Sequence, residues 1–207
     1  MPEIKNYPRI KINFNPEIPP LKKIKDKTKI DVRYSVLSPF AFIHIHWDPK
    51  EYEVIYELEE PILDEIEKKQ LAQIFIAMRD LIDFTGVIEK ETEKILDYID
   101  KRFKMIVFEL GFNMSYETYK KIYYYLIRDF MGFNEIEPLL RDFFVEDIEC
   151  NGAESPVYIV HRTYRNLKTN LVFHDLDKLE NFVEKLAQRS GKYISYSSPI
   201  LDSTLPD

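Results

Sequence analysis

The spacing of apolar residues changes along the chain, and each change marks a different kind of element. From Val32 to Leu58, β-branched and aromatic residues dominate, interrupted at Ser38-Pro39 and Asp48-Pro49. Phe40, Phe42, His44 and His46 fall on one face of a strand and Ala41, Ile43, Ile45 and Trp47 on the other, because successive side chains of extended backbone point opposite ways. A second run alternates Tyr52, Val54, Tyr56 and Leu58 with Glu51, Glu53, Ile55 and Glu57. The Asp48-Pro49-Lys50 turn signal between the two runs predicts a β-hairpin.

The period then becomes helical. Leu71, Ile74, Phe75, Met78, Leu81 and Ile82 make a wide apolar stripe that ends near Gly86. Ile88, Ile95, Ile99, Phe103, Ile106 and Leu110 share one face of a second helix, with Gly111 just past its end. A third helix starts after Ser115, an N-cap followed by Glu117 in the first turn, and runs through Tyr119, Ile122, Tyr123, Leu126 and Phe130 to Gly132. Short connections predict an antiparallel bundle.

After Asn134 the texture changes again. A short helical piece over Ile136 to Phe144 leads into a strand at Val145 to Glu149, a turn at Asn151-Gly152 and a strand at Val157 to His161. A turn around Arg165-Asn166 and a strand at Thr169 to Phe173 follow. Asp175 then caps a helix with Leu179, Phe182, Val183 and Leu186 inward, stopped by Gly191. The fold class expected is α+β. An N-terminal β-hairpin plus three-helix bundle (31–131) precedes a small α/β sandwich-like unit with a mostly antiparallel sheet (132–207).

Residues 1–30 stand apart. They hold five of the twelve prolines and no glycine, and their apolar residues follow neither period. Eight Lys/Arg against three acids give them a charge of +5, while the rest of the chain, with 21 bases against 33 acids, carries −12. Such a segment is expected to be a mobile basic arm without core contacts. Its Lys22, Lys23, Lys25, Lys27 and Lys29 are either a solvated leader or a dock for a partner or an anionic membrane surface. The acidic body argues against general nucleic-acid binding. Asn and Gln are sparse, nine and three, a balance associated with hot environments.

At 207 residues the chain can bury one or two cores of ordinary size. With no run of about 18 uncharged apolar residues and no apolar N-terminal stretch, neither a membrane span nor a secretory signal fits, and a cytoplasmic location is expected. One cysteine, Cys150, precludes an internal disulfide and a thiolate metal cluster; it reads as structural.

Chemistry-bearing patterns are few. His44-x-His46 places two imidazoles on one side of a strand, a spacing metal sites use, but a catalytic metal needs a third ligand, and no metal site is expected. Glu59-Glu60 and Glu146-Asp147-x-Glu149 are clustered acids, which do acid–base work only inside a cleft that separates their properties. No Gly-rich phosphate loop and no G-x-S-x-G string occurs. The segment is therefore expected to hold no catalytic residues and no cofactor.

A more specific signal lies in the second unit. Gly132-Phe133-Asn134-Glu135-Ile136-Glu137-Pro138-Leu139-Leu140 is followed by Val145-Glu146-Asp147-Ile148-Glu149-Cys150-Asn151-Gly152 and Pro156-Val157-Tyr158-Ile159-Val160-His161-Arg162. Then come Thr169-Asn170-Leu171, Leu186-Ala187-x-Arg189-x-Gly191-Lys192 and Pro199-Ile200-Leu201-Asp202-x-x-Leu205-Pro206-Asp207. In order and spacing these strings resemble the archaeal branch of the type II/type IV secretion ATPase superfamily. With a short basic arm and a helical bundle ahead of them, they look most like the archaellum motor ATPases; archaeal pilus and secretion ATPases are the near alternative.

The resemblance implies the N-terminal half of a hexameric motor that ends at the hinge to a RecA-like ATPase domain. ATP and Mg would belong to the full-length protein. Implied partners are that ATPase domain, neighbouring subunits of the hexamer, a polytopic membrane platform protein and other motor components, at the inner face of the cell membrane. Arg189 corresponds to an arginine that such proteins place near the nucleotide phosphates. Glu149 stands where bacterial relatives have a histidine, so that histidine's roles do not transfer. A different class, a free-standing adaptor with a basic docking arm, is the competing reading.

Overall fold

The apolar alternation of the first strands is realised as burial. In the computed structural model, which describes residues 7–81, 92–195 and 197–205, Ala41, Ile43 and Ile45 are fully buried, while Phe42, His44 and His46 face outward and are only partly covered. The described elements comprise six strands, β1 (Asp31–Leu37), β2 (Ala41–Asp48), β3 (Glu53–Glu59), β4 (Val145–Glu149), β5 (Pro156–His161) and β6 (Arg165–Val172). The helices are α1 (Glu65–Leu81), α2 (Thr92–Glu109), α3 (Tyr116–Phe130), α4 (Glu137–Leu140) and α5 (Leu176–Arg189). The protein is thus α+β with a mostly antiparallel sheet.

The expected grouping is corrected. The strands form one six-stranded sheet in the order β1-β2-β3-β6-β5-β4, so the β2–β3 hairpin belongs with the C-terminal strands and not with the helical bundle. Two compact units result: the described residues of Met1–Ile12 with Glu60–Gly132, and Asn13–Glu59 with the described residues of Phe133–Asp207. Within the second unit, the N-terminal strands meet the C-terminal ones through the parallel pairing of β3 with β6, short in register at Ile55 opposite Lys168 and Tyr56 opposite Thr169. Asn170 extends it, its side chain accepting the Leu58 N–H at 2.8 Å and donating to the Leu58 carbonyl at 2.9 Å. One amide side chain thereby supplies both hydrogen bonds that a missing backbone rung would make.

In the sheet unit the core carries a buried carboxylate. Asp142 is 4% exposed and receives the hydroxyls of Tyr34 at 2.6 Å and Tyr56 at 2.8 Å on Oδ2. The Phe144 N–H donates to its Oδ1 at 2.9 Å. Burial pushes the carboxyl above the ordinary aspartate value, opposed by those three donors.

In the helical unit, Ser115 caps α3 by accepting the Thr118 N–H. Ile99, Phe103 and Ile106 from α2 meet Tyr119, Ile122 and Leu126 from α3 in its core, and Phe75 stacks on Phe130. Leu110, expected on the buried face of α2, is exposed because the helix ends at Glu109 and the chain turns through Gly111 at φ +67°. Ile82, Gly86 and Ile88 lie outside the described residues. A polar cluster adds to this core: Arg128, 7% exposed, donates to both Glu60 oxygens at 2.9 and 3.0 Å and to Asp129 Oδ1 at 2.6 Å.

The described part of the N-terminal segment is not a contact-free arm. Tyr7 stacks on Tyr119 with ring centroids 4.0 Å apart and donates its hydroxyl to the Met114 carbonyl at 2.9 Å. Ile10 is buried and Arg9 pairs with Asp97. Farther along, Asn13 bridges to Ser38, and Ile30 is buried beside β2. Proline and charge conceal this in the sequence, since two isolated apolar anchors, Tyr7 and Ile10, in irregular backbone create no period to detect.

Candidate functional site

α5 positions Arg189. Asp175 accepts the N–H groups of Asp177 and Lys178 and starts the helix, and Phe182 and Ala187 bury its inner face. Val183, expected inward, is 37% exposed. The helix stops where Gly191 takes φ +72°. The Gly191 N–H returns to the Gln188 carbonyl and the Lys192 N–H to the Ala187 carbonyl, a paired closure that needs a left-handed residue at that position.

Arg189, in the last turn, swings its guanidinium over the Phe133 ring, 5.1 Å from the centroid. Burial lowers its pKa, and the negative charge of Glu137 opposes that shift. Glu137 itself is buried, accepting the Phe133 N–H at 2.9 Å and the Arg141 Nε–H at 2.7 Å. Lys185, one helical turn before Arg189, donates to the Asn134 side chain. Residues far apart in sequence, Phe133, Asn134 and Glu137 on one side and Lys185 and Arg189 on the other, are thus brought together.

Lys22, Lys23, Lys25, Lys27 and Lys29 are all exposed. They project from a segment with fixed points: the Tyr164 hydroxyl donates to the Lys22 carbonyl at 3.2 Å, and Asp26 caps a short 3-10 turn over Lys27–Lys29. Lys29 pairs with Asp26 at 3.4 Å. Cys150 is free and exposed just after β4.

The third ligand missing from the His44-x-His46 pattern is present in space. In the β2–β3 register Asp48 lies opposite Glu53 and His44 opposite Glu57. Among the described residues, one group of metal-ligating side chains has its donor atoms within 4.8 Å of one another, and it consists of His44, His46 and Glu57. Glu57 Oε2 lies 3.3 Å from His46 Nε2 and 3.9 Å from His44 Nδ1. His44 Nε2, on the other side of that ring, is 2.7 Å from Asp31 Oδ1. Counting outward from the Asp48-Pro49 turn could have found the His44–Glu57 pair, since antiparallel partners share a face.

The remaining histidines differ. His161 lies in the same sheet but is fully buried, stacked between Phe144 and Tyr164, and burial pushes it down to about 4. Its Nδ1 accepts the N–H groups of Thr163 and Tyr164. That makes it a neutral turn-closing group. His174 is exposed and pairs with Glu154 at 3.0 Å.

No known protein-family model matches the chain. It is 35% identical over 188 residues to the uncharacterized protein MJ1288 of Methanocaldococcus jannaschii, an alignment covering 90% of this chain and 74% of that protein. The chain belongs to the family of that archaeal protein. Two further proteins of the same organism, MJ0900 and MJ0781, also uncharacterized, are 28% and 26% identical over 204 and 206 residues. Those alignments cover 90% and 92% of this chain but only 36% and 26% of the relatives. The chain thus spans about a third of one and a quarter of the other. No helix among the described residues is long and apolar enough to cross a membrane.

Proposed function

We propose that this chain is the N-terminal interaction and gating module of a hexameric archaeal motor ATPase of the secretion superfamily. Its task is to couple ATP-driven domain motion to a membrane platform protein in archaellum assembly and rotation. The observation that carries the reading is the packing of Arg189 on Phe133 beside Glu137. Two strings that carry the family resemblance, one opening the second half of the chain and one closing α5, meet there. A guanidinium so held has little rotamer freedom left, which suits a cation that must meet phosphate charge in one geometry. MJ0900 and MJ0781 lend support, since in each a region like this chain is the smaller part of a longer protein. Archaeal type IV pilus and type II secretion motors would use the same module in the same way.

A second reading, a separately encoded adaptor that docks on a partner through its basic segment, draws on MJ1288. The quarter of that relative outside the alignment leaves less room than a compact domain of about 100 to 150 residues needs. The gene and its product separate the two readings. The motor reading expects a Gly-x-x-x-x-Gly-Lys-Ser/Thr string in frame after Asp207 and Mg-dependent ATP hydrolysis by the whole product. It also expects Arg189→Ala and Arg189→Lys to lower kcat by about tenfold or more, with circular dichroism unchanged. A gene that closes without that string, whose product neither hydrolyses ATP nor binds an ATPase subunit, overturns the motor reading. Full turnover in both variants removes Arg189 from the nucleotide.

A further inference from the structure

The outer face of the β2–β3 hairpin holds a set of groups that the motor reading does not use. We propose that His44, His46 and Glu57 form a binding site for a divalent transition-metal ion of the zinc class, with Asp31 orienting His44.

Distances set the argument. Zinc bonds to imidazole nitrogen and carboxylate oxygen run about 2.0 to 2.2 Å, and tetrahedral angles then separate neighbouring donor atoms by roughly 3.4 Å. Glu57 Oε2 and His46 Nε2 are 3.3 Å apart, and Glu57 Oε2 and His44 Nδ1 are 3.9 Å apart. The first pair is at ligand spacing, and the second reaches it with a small side-chain rotation on a half-open surface.

The second observation is Asp31. A metal-bound histidine characteristically gives its other ring N–H to a carboxylate, which fixes the tautomer and makes the ligating nitrogen a better donor. Asp31 Oδ1 sits 2.7 Å from His44 Nε2, leaving Nδ1 as the lone-pair nitrogen that faces Glu57. Glu59 adds negative charge, its Oε1 3.9 Å from His44 Nδ1 while Oε2 is held by Arg33 at 2.7 Å. Two imidazoles with one carboxylate suit zinc, nickel or cobalt, whereas magnesium and calcium prefer all-oxygen shells.

The backbone already holds the ligands. His44 and His46 are alternate residues of one strand and Glu57 is the cross-strand partner of His44, so binding orders three side chains without moving a loop. Three protein ligands leave one tetrahedral position open, as in sites that take a water or an external group.

The site is tested on the tag-free whole chain, stripped with chelator and titrated with Zn²⁺ by calorimetry and with Co²⁺ by absorption spectroscopy. A Cys150→Ser variant keeps the exposed thiol out of the reading. One equivalent of Zn²⁺ is expected in the micromolar range or tighter, with visible Co²⁺ bands of a four- or five-coordinate site. His46→Ala and Glu57→Gln should each weaken binding by at least tenfold, and Asp31→Asn by about ten- to a hundredfold. All three positions are at the surface, and an unchanged circular dichroism spectrum certifies the fold of each variant. Absence of saturable binding at up to about a hundredfold excess of metal overturns the site and leaves a histidine–carboxylate ion cluster. So does binding that His46→Ala and Glu57→Gln leave intact. ATP turnover plays no part in the readout, so this result and the motor reading stand or fall separately.

Discussion

Removing the Tyr56 hydroxyl isolates one hydrogen bond of the buried carboxylate. Tyr56 is fully buried and its hydroxyl donates at 2.8 Å to Asp142, itself 4% exposed. Tyr56→Phe deletes one oxygen, so no cavity of consequence opens and no water takes its place. The cost is the loss of a donor to an ionised acceptor, about 1.5 to 3 kcal/mol, and complete burial favours the upper half of that range. At about 2 to 4 °C per kcal/mol for a chain of this length, the melting temperature should fall by roughly 4 to 12 °C. The effect should depend on pH with a definite sign. The folded-state pKa of Asp142 is raised, so its proton is bound more tightly in the fold. Its contribution is most favourable below the ordinary aspartate value and is lost as pH rises through the raised value. Above the raised value the variant leaves a charged carboxylate with one donor fewer, whereas below it the group is neutral and the deleted bond is worth only about 0.5 to 1.5 kcal/mol, so the loss should grow as pH rises. Urea unfolding followed by circular dichroism, at neutral pH and near pH 4, measures both numbers with m-values as the control. Asp142→Asn should flatten the pH dependence. A Tyr56→Phe loss below about 0.5 kcal/mol at neutral pH, or one equal at both pH values, refutes the reasoning.

Tyr7→Ala removes a stacked, buried ring and its hydrogen bond to Met114, and should destabilise the helical unit by about 3 to 5 kcal/mol; thermal melting of the variant, or of a chain lacking residues 1–12, checks it, and an unchanged midpoint would restore the contact-free arm. Replacing Lys22, Lys23, Lys25, Lys27 and Lys29 by Gln should leave the fold intact, since all five are exposed. It should also remove about 1 kcal/mol of attraction per cation toward anionic vesicles. Co-sedimentation at low salt that matches the unsubstituted chain would leave these lysines as a solvated surface only.

Element type was legible in the residues themselves. The period-2 alternation of Ala41 to Trp47, the helical stripe of α3, and the caps Ser115 and Asp175 each report a local geometric requirement, and a few neighbouring residues suffice to state it. The strings from Gly132 onward carried the resemblance for the same reason, being contiguous. Partnership was decided only in three dimensions. That β3 lies beside β6 depends on residues more than 100 positions apart, joined through Asn170 and Leu58, and no periodicity records which strand edge meets which. Polar partners are harder still, because one buried carboxylate or guanidinium needs two or three specific atoms and leaves no repeating mark. Hence Asp142 with its tyrosines, Arg128 with Glu60, and the meeting of Arg189 with Phe133 emerge only from the packed chain. Glu57 falls between the two cases. It was visible as an outward acid on an alternating strand, but it became a neighbour of His44 and His46 only when the turn set the hairpin register, since a slip of one residue would have carried it to the opposite face.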